Sequence, residues 1–330
     1  MPAIFDALPG VEVPVGAVSR GLAEMWAGNA TDGRPAPEAE DARATQVNFV
    51  LHLGLNTTAA DAAQQFEVVE RFSQRYPSRI VVLCPMHTET GSTEIRAKVY
   101  GECFLGKSKA DKRCVEFVML SYSKGARPYL ENQVSICLST DLPLYYWAHR
   151  FSASARLADY RYLLSRAKRV LLDSAIAPDN ALTFPWPNPN SVRDLVYSRL
   201  LPVRQTIGQF LAAYDPGTIV NGLRGVTVSH DGSVPAEARV MLAWLRRRLT
   251  ACGASADGIA FHVQGPPAKD DGTLAVRFDY GAPGRHFHGH GELKTGHALF
   301  TADFGTGSTR LAAAVSLLAP DIALSEAMFF

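Results

Sequence analysis

One segment, residues 133–151, constrains the fold more than any other part of the chain. Within it a weakly helical apolar stretch ends at an Asp-Leu-Pro turn and is followed by an aromatic, β-prone run. Because proline lacks a backbone N–H and favours an extended residue before it, a strand begins only after Pro143. Four large apolar residues then follow in a row, from Leu144 to Trp147, which is typical of a strand covered on both faces. We therefore expect a central strand of an α/β sheet, with Trp147 buried.

An earlier segment shows the same succession of helix, tight turn and buried strand. Residues 59–74 carry apolar or small side chains at helical spacing, and the sequence Tyr-Pro-Ser-Arg at 76–79 ends this helix. The apolar run at 80–85 predicts a buried strand, and residues 46–53 predict the strand that precedes the helix. Units of this kind are typical of a parallel sheet.

Two alternating segments, 94–105 and 113–122, predict an antiparallel pair of strands joined by a basic loop. Cys103 and Cys114 flank this loop, whose lysines could lower the pKa of a thiol. In a hairpin the two cysteines reach disulfide range if their Cα atoms lie less than about 7 Å apart. We treat Cys103 and Cys114 as a candidate redox pair. For Cys84 and Cys137, each within an apolar run, packing as a small hydrophobic side chain is the preferred interpretation.

Several runs of the sequence resemble the OpcA family, the glucose-6-phosphate dehydrogenase assembly proteins. The resemblance covers residues 45–215 and rests on RYPSRI at 75–80, DLPLYYW at 141–147, RVLLDS at 169–174, and Asp194-Leu195 followed by YSRLLPVR at 197–204. Leu201 and Val203 stand where the family has Thr and Trp. The resemblance implies an accessory protein of the oxidative pentose phosphate pathway, without catalytic residues or a cofactor. Such a protein binds glucose-6-phosphate dehydrogenase and raises its activity, as an assembly factor or allosteric activator.

The length of 330 residues exceeds what one hydrophobic core usually serves, so we expect two domains. A cluster of prolines between residues 178 and 189 interrupts regular structure and indicates the connection. We predict two α/β domains with mixed sheets, preceded by a short helical N-terminal arm, with the bounds 1–44 for the arm and linker, 45–175 for the first domain and 176–330 for the second. The second domain is predicted to begin with a helix at 191–200 and to end with a helix at 308–318.

The charge balance excludes several classes of partner. With 33 Lys and Arg against 32 Asp and Glu, the net charge of +1 gives no electrostatic reason to expect binding to nucleic acid or to an anionic membrane. No window approaches the roughly 18 apolar residues of a membrane span, and five cysteines without framework spacing suit a reducing compartment. We therefore expect a cytoplasmic protein.

Three histidines alternate along one predicted strand, in the sequence His286-Phe287-His288-Gly289-His290. Imidazoles two residues apart share a face of a strand, and a His-x-His pair of this kind can bind zinc. His297 and Glu292 are the nearest candidates for a further ligand. A solvated polar face explains the same alternation, and we favour that interpretation.

A glycine-rich turn, Gly305-Thr306-Gly307-Ser308-Thr309-Arg310, lies between a predicted strand at 298–303 and the predicted helix at 308–318. Its glycines, Ser308, Arg310 and free helix N–H groups could bind an anion, although a turn capped by Ser308 needs no ligand. The competing function is therefore an enzyme or sensor that binds a sugar phosphate or a nucleotide at this turn. Since the chain lacks the three-glycine dinucleotide fingerprint, we do not expect hydride transfer. His87, which follows the strand at 80–85, is the best single candidate for a pocket residue, with an ordinary loop histidine as the preferred interpretation.

Overall fold

A computed structural model describes residues 4–37, 45–87, 92–105, 112–265 and 272–330 of the chain. The chain divides into two compact units, one comprising Met1–Leu195 with Leu324–Phe330 and the other Val196–Ala323. Each unit has a mixed β-sheet and its own hydrophobic core. The predicted fold class, two α/β domains with mixed sheets, is therefore confirmed. None of the helices in the described ranges is long and apolar enough to cross a membrane.

The first unit is built on one sheet, whose described strands are numbered along the chain. They are β1 Val11–Val13, β2 Val47–Leu53, β3 Ser78–Pro85, β4 Ile95–Leu105, β5 Lys112–Tyr122, β6 Leu144–His149, β7 Ala167–Leu172 and β8 Val192–Asp194. Their order across the sheet is β1-β4-β5-β3-β2-β6-β7-β8. The strands from β5 to β8 in this order all run parallel, whereas β4 runs antiparallel to both β1 and β5. The predicted parallel sheet and antiparallel pair are both present.

Helices cover both faces of this sheet. Those of the first unit are α1 Ile4–Ala7, α2 Val18–Thr31, α3 Ala59–Arg75, α4 Arg127–Cys137 and α5 Arg161–Arg166, and a 3₁₀ segment spans Ser154–Tyr160. On one face α1 and α3 pack against Phe49 and Leu51 of β2. On the other face α2, α4, α5 and the 3₁₀ segment pack against Val50 and Tyr146. Because every residue of β2 is buried, its alternating side chains contribute to both cores.

Local sequence explains where α3 begins and which face it buries. Thr58 precedes the helix, and its Oγ1 accepts a hydrogen bond of 3.1 Å from the backbone N–H of Asp61, the usual role of an N-cap threonine. The apolar residues Ala62, Phe66 and Phe72 lie on the buried face, as their helical spacing requires. The helix therefore lies on the sheet where the sequence predicts it.

The turn before β6 is anchored to β2. The Asn48 side chain donates to the backbone carbonyls of Ser139 and Leu142 at 2.7 and 3.1 Å and accepts from the N–H of Ser139 at 3.0 Å. These bonds satisfy a buried amide that would otherwise cost free energy. β6 then begins at Leu144, and all its residues are buried, including Trp147 with an exposed fraction of 4%. The prediction that this run supports the core is confirmed.

The second unit has six described strands and contains all or part of the five remaining α-helices. The strands are β9 Leu223–His230, β10 Ala260–Gln264, β11 Thr273–Tyr280, β12 His286–Glu292, β13 His297–Asp303 and β14 Thr309–Ala314, and the helices are α6 Leu195–Arg199, α7 Leu201–Leu211, α8 Pro216–Val220, α9 Pro235–Ala251 and α10 Pro320–Phe329. Their order is β10-β9-β11-β12-β13-β14, with only β10 and β9 parallel among these pairs. One face of the sheet packs on α7 and α9, and α10 continues from this unit into the first at Leu324.

The structure corrects three predicted boundaries. The domain boundary lies at residue 195 rather than 175, because β8 pairs with β7 and so belongs to the first unit. Residues 192–194, which form β8, are thus a strand and not part of the predicted helix at 191–200. The predicted helix at 308–318 is instead β14 for residues 309–314, paired with β13. The predicted N-terminal arm belongs to the fold of the first unit, since β1 pairs with β4 and Trp26 Nε1 donates to Glu116 at 2.9 Å. The part of the predicted linker at 38–44 lies outside the described residues.

We expect Asn48→Ala to destabilise the protein by about 2 kcal/mol, because it removes the buried amide that pairs with the N–H and carbonyl of Ser139 and with the carbonyl of Leu142. The free energy of unfolding in urea measures this change. Asn56→Ala is the matched control, since Asn56 is exposed in the loop after β2 and should shift stability by no more than about 0.5 kcal/mol. Equal effects of the two substitutions would contradict the anchoring role of Asn48.

Candidate functional site

The first unit has a topological switch point between β2 and β6. From β2 the chain passes through α3 on one face to reach β3, whereas from β6 it passes through the 3₁₀ segment and α5 on the opposite face to reach β7. At such a point the connections diverge, and a crevice opens outside the carboxyl ends of the two strands. Open α/β sheets bind their ligands there as a rule.

A cleft lies at this switch point. It is lined by residues that follow or end parallel strands and by the first turns of the helical segments on one face: Leu53, Gly54, Leu55, Pro85, Tyr122, Arg127, Phe151, Ser152, Arg156 and Tyr160. These side chains give the cleft an apolar wall, two tyrosine hydroxyls and two guanidinium groups. Its position is that of a ligand site in an open α/β sheet, and its free space is about 10 Å³, room for a single water molecule.

Glycine is required where the two strands diverge. A Cβ on Gly54 would lie 2.1 Å from the carbonyl oxygen of Arg150, and the N–H of Gly54 donates to the carbonyl of His149 at 2.7 Å. Arg150 itself has a φ of 51°, in the left-handed region that non-glycine residues seldom adopt. The chain leaving β6 thus turns sharply beside Gly54, and this turn shapes the floor of the cleft.

A chain of buried polar side chains runs from the core to the cleft. His52 of β2 is fully buried; its Nδ1 hydrogen-bonds to the hydroxyl of Tyr146, and its Nε2 lies 2.7 Å from the hydroxyl of Tyr122. The Tyr122 hydroxyl in turn lies 3.1 Å from that of Tyr160. Because a neutral imidazole has one donor and one acceptor nitrogen, the direction of the whole chain follows the tautomer of His52.

Only one of the two tautomers can leave the Tyr160 hydroxyl free to donate into the cleft. With the proton on Nε2, His52 donates to Tyr122, Tyr122 donates to Tyr160, and the Tyr160 proton is available to the cleft. With the proton on Nδ1, the bonds can run the other way, and Tyr160 donates to Tyr122. The chain therefore couples the cleft to a buried histidine without any movement of the backbone.

Burial sets the protonation of this chain. It lowers the pKa of His52 to about 3, with the positive charge of Arg127 as the second cause, so the imidazole is neutral at physiological pH. Burial also raises the pKa of Tyr122, Tyr146 and Tyr160, which keeps all three hydroxyls protonated. The chain is thus an uncharged set of hydrogen bonds.

A charged cluster lies on the other side of β6. Asp61 Oδ2 is 2.9 Å from His149 Nε2 and 2.5 Å from Arg150 Nε, and Gln65 donates to Oδ1 at 3.1 Å. Burial acts to raise the pKa of Asp61, but the hydrogen bond and charge of His149, aided by Gln65 and Arg150, lower it to about 2. This carboxylate fixes the end of β6 rather than presenting a reactive group.

Sequence reasoning missed most of the side chains at this site. Of its pocket candidates, His87 alone lies at the same edge of the sheet, where its Nε2 is 3.3 Å from the carbonyl of Leu55. The available signal was positional: Tyr122 ends β5 and His52 nearly ends β2, and carboxyl ends of parallel strands meet at one edge. To predict the cleft, one must also know the order of the strands across the sheet, and local sequence patterns do not reveal that order.

Cys103 and Cys114 stand directly opposite each other on β4 and β5, with Cα atoms 4.0 Å apart, and form a disulfide. The loop between the strands, at 106–111, lies outside the described residues. Burial raises the pKa of the Cys84 thiol, and it raises that of Cys137 to about 11, so both remain protonated at neutral pH.

The histidine strand and the glycine turn both belong to the second unit. His288 and His290 are exposed on β12, and the rings of His286 and His288 are 5.1 Å apart. Among the described residues no group of three His, Cys, Asp or Glu side chains could hold a metal ion. His288 has a lowered pKa, caused first by burial and then by the charges of His286 and Arg277.

The premise of an anion site at Gly305, Gly307, Ser308 and Arg310 was wrong, because the turn connects two antiparallel strands and is followed by no helix N-terminus. Positive φ values of 95° and 106° explain the two glycines. The N–H of Gly305 already donates to Asp303 Oδ1 at 2.7 Å, so a carboxylate occupies the position that an anion would take. Arg310 lies within β14, opposite Thr301.

The described fold and cleft define a two-domain α/β protein with a switch-point cleft in its first domain. No protein-family profile matches the chain, and no curated protein is significantly similar to it. Among solved structures the chain is similar to an oxidoreductase from Sinorhizobium meliloti, at 10% identity and a TM-score of 0.40, over 84% of this chain and 81% of that one. A likeness at this level gives no information about function.

Burial of His52 predicts a pH-dependent stability. Its folded pKa of about 3 lies below the unfolded value of about 6.5, so the unfolded state binds more protons between these values and stability falls as the pH falls. We expect a loss of about 2 kcal/mol from pH 7 to pH 5 through this group.

Urea unfolding at the two pH values measures the loss. His52→Gln should reduce the difference between pH 7 and pH 5 by most of this amount, whereas His87→Gln, at an exposed histidine, should leave it unchanged. The same pH dependence in the wild-type protein and in His52→Gln would show that His52 is not the neutral buried group described above.

Proposed function

We propose that this protein is a noncatalytic accessory protein that binds glucose-6-phosphate dehydrogenase and activates it. The observation that carries the proposal is the resemblance to the OpcA family over residues 45–215. The sequence runs that carry this resemblance lie at the ends of helices and the starts of strands. RYPSRI at 75–80 ends α3 and starts β3, and DLPLYYW at 141–147 leads into β6. Each run thus places a parallel strand of the first unit.

Contacts between two of these runs support the proposal. Asp194, from the Asp-Leu pair, accepts hydrogen bonds from the N–H and the hydroxyl of Ser174, which ends the RVLLDS run, at 3.1 and 2.7 Å. Runs that are 20 residues apart therefore fix the same corner of the first unit.

A third contact lies within the YSRLLPVR run. The guanidinium of Arg204 stacks 3.6 Å from the ring centroid of Tyr197 and donates to the Tyr197 carbonyl at 3.1 Å. A stacked arginine that also donates a hydrogen bond fixes the start of α7 more firmly than a lysine would. The residues that carry the resemblance are thus structural, which suits a family defined by its fold and its partner rather than by a catalytic motif.

The chemistry at the switch point also favours an accessory role. His52 is the histidine closest to the cleft's tyrosines, yet both its nitrogens are hydrogen-bonded and its pKa of about 3 is far from that of an effective acid or base at neutral pH. The thiols of Cys84 and Cys137 have raised pKa values and are poor nucleophiles.

Activation by such a protein requires differential binding. An accessory subunit shifts its partner towards the active conformation only by binding that conformation more tightly than the others. To change the ratio of active to inactive dehydrogenase tenfold, the accessory protein must bind the active conformation more tightly than the inactive one by about 1.4 kcal/mol. A surface of ordinary interface size can supply this difference.

We expect saturable activation when the purified protein is titrated into glucose-6-phosphate dehydrogenase of the same organism. The substrate KM or the kcat should change and reach a plateau at a fixed stoichiometry, and a complex should elute together in gel filtration. The protein alone should reduce neither NAD nor NADP with glucose 6-phosphate, because it lacks the dinucleotide fingerprint.

Two results would refute the proposal. One is cofactor reduction by the protein alone above that of a heat-inactivated sample. The other is unchanged dehydrogenase kinetics, together with no complex, at concentrations where both proteins are folded. Heat-inactivated protein added to the dehydrogenase serves as the control for nonspecific stabilisation.

Redox sensitivity, if the complex shows it, should reside in Cys103 and Cys114. We expect a peptide linking them in mass-spectrometric maps of the oxidised protein, and lower activation of the dehydrogenase after oxidation than after reduction. Cys103→Ser should abolish this difference, whereas Cys137→Ser, which removes an unpaired thiol, should preserve it. Equal activation by the oxidised and reduced proteins would leave the disulfide a purely structural link.

A further inference from the structure

The two sheets of the chain differ in how their edge strands are protected against pairing with another chain. The edges of the first sheet, β1 and β8, have three residues each and carry charged side chains at Glu12, Arg193 and Asp194. Short strands and charged side chains are the usual protection of an exposed edge. At one edge of the second sheet, β14 has six residues, no proline and a single charge, at Arg310. This edge is therefore open to a further strand.

The hydrogen-bond ladder shows which backbone groups of β14 are free. The N–H of Val315 donates to the carbonyl of Gly296 at 2.9 Å, in the same register as the pairs between β13 and β14. In an antiparallel ladder every second residue bonds to the neighbouring strand, and the residues between point their N–H and C=O groups away from it. The backbone groups of Arg310, Ala312 and Ala314 therefore point away from β13, and no described residue pairs with them.

The apolar side chains of β14 are only partly covered. Leu311 lies opposite Phe300 of β13, on the face that packs on α7 and α9, but 38% of Leu311 is exposed whereas Phe300 is 3% exposed. On the other face, Ala312 lies opposite Leu299 and is exposed. Exposed apolar side chains beside free backbone groups indicate a surface that another strand can cover.

The sequence of β14 is complementary to a second copy of itself. A two-fold axis beside Ala312, perpendicular to the sheet, places this residue opposite its counterpart in the second copy. Leu311 then lies opposite Ala313 of the second copy, so apolar side chains meet on the face that carries the core. Arg310, the only charged residue of the strand, lies opposite Ala314 of the second copy. No like charges face each other across this pair of strands.

The backbone pattern selects the same register. With Ala312 opposite itself, the three residues that have outward groups form three hydrogen-bonded pairs of two bonds each, which gives six bonds between the copies. A shift of two residues in either direction leaves two such pairs and four bonds within the strand. A shift of one residue brings side chains of opposite faces together.

We propose that β14 is a dimerisation strand, which pairs antiparallel with β14 of a second copy of this chain and joins the two sheets into one. The second copy is the occupant because every opposed pair of side chains and backbone groups fits without a clash of charge. A single pair of strands gives a contact at the small end of specific interfaces, so we expect a dissociation constant in the micromolar range. The strand lies wholly within the second unit, and its pairing does not rest on the accessory function.

Sedimentation equilibrium of the full chain over a series of concentrations tests the proposal. We expect a reversible equilibrium between one chain and two, with the dimer prevailing in the high micromolar range. A protein that remains monomeric up to millimolar concentration would overturn the proposal. Because no dehydrogenase is present, the result is independent of whether the protein activates that enzyme.

Charge variants at Ala312 test the register. Ala312→Lys and Ala312→Glu should each weaken self-association about fivefold or more, because like charges then lie directly opposite each other across the axis. An equimolar mixture of the two variants should dimerise again, since Lys then faces Glu. Ala275→Lys is the matched control. Ala275 lies on the same face and in the same cross-strand row as Ala312, but on β11 in the interior of the sheet, so this variant should dimerise like the wild-type protein.

A backbone variant tests the hydrogen bonds. Ala312→Pro removes an N–H that points away from β13, a position where an edge strand tolerates proline, and it removes two of the bonds between the copies. Dimerisation should weaken by about tenfold or more, and circular dichroism establishes that each variant is folded. Unchanged dimerisation of folded Ala312→Lys or Ala312→Pro, or a mixture of the Lys and Glu variants that stays monomeric, would show that the copies do not pair through β14 in this register and would overturn the proposal.

Discussion

The position of β2 between β3 and β6 is the constraint on which the first unit depends. β2 forms parallel ladders with both neighbours, from Val47 and Asn48 onwards, and each of its residues is buried. A strand hydrogen-bonded on both edges and covered on both faces has no solvent-facing alternative, so its register is strongly specified. From this pairing follow the divergence of the chain after β2 and β6, the close approach of Gly54 to Arg150, and the cleft between them.

The polar chain of His52 is a consequence of the same burial. An imidazole in the middle of a fully covered sheet must be neutral and must find partners for both nitrogens, since an unpaired buried polar group is costly. Tyr146 supplies one partner from the adjacent strand β6, and Tyr122 supplies the other from β5, which lies beyond β3 in the sheet. Each tyrosine presents an apolar ring to the core and a hydroxyl to the network, so the network costs the sheet little apolar contact.

Local signals were enough to predict the elements that depend on a few adjacent residues. The succession of α3 and β3, the start of β6 after Pro143 and the antiparallel pair of β4 and β5 were predicted from periodicity and turn residues and are all present. The prediction failed at β14, where the alanines at 312–314 favour a helix by intrinsic propensity. Pairing with β13 overrides that preference, and no local pattern reveals a partner strand.

The same reason explains why the domain boundary and the candidate site escaped prediction. β8 has three residues and belongs to the first unit only because it pairs with β7. The residues of the cleft come from four separate stretches of the chain, at 53–55, 85, 122–127 and 151–160, and their meeting depends on the order of strands across the sheet. Sequence periodicity gives the faces of elements but not their neighbours, so a site assembled by topology becomes visible only in the fold.

The charge of Arg127 links the cleft to the buried histidine in a specific way. That charge is the second cause of the low pKa of His52, and burial is the first. Because burial keeps His52 neutral at physiological pH, the chain of hydrogen bonds has two uncharged arrangements that differ in the tautomer of His52. With a proton on Nε2, Nδ1 accepts from Tyr146 and Tyr122 donates to Tyr160; with a proton on Nδ1, the order of donors and acceptors is reversed.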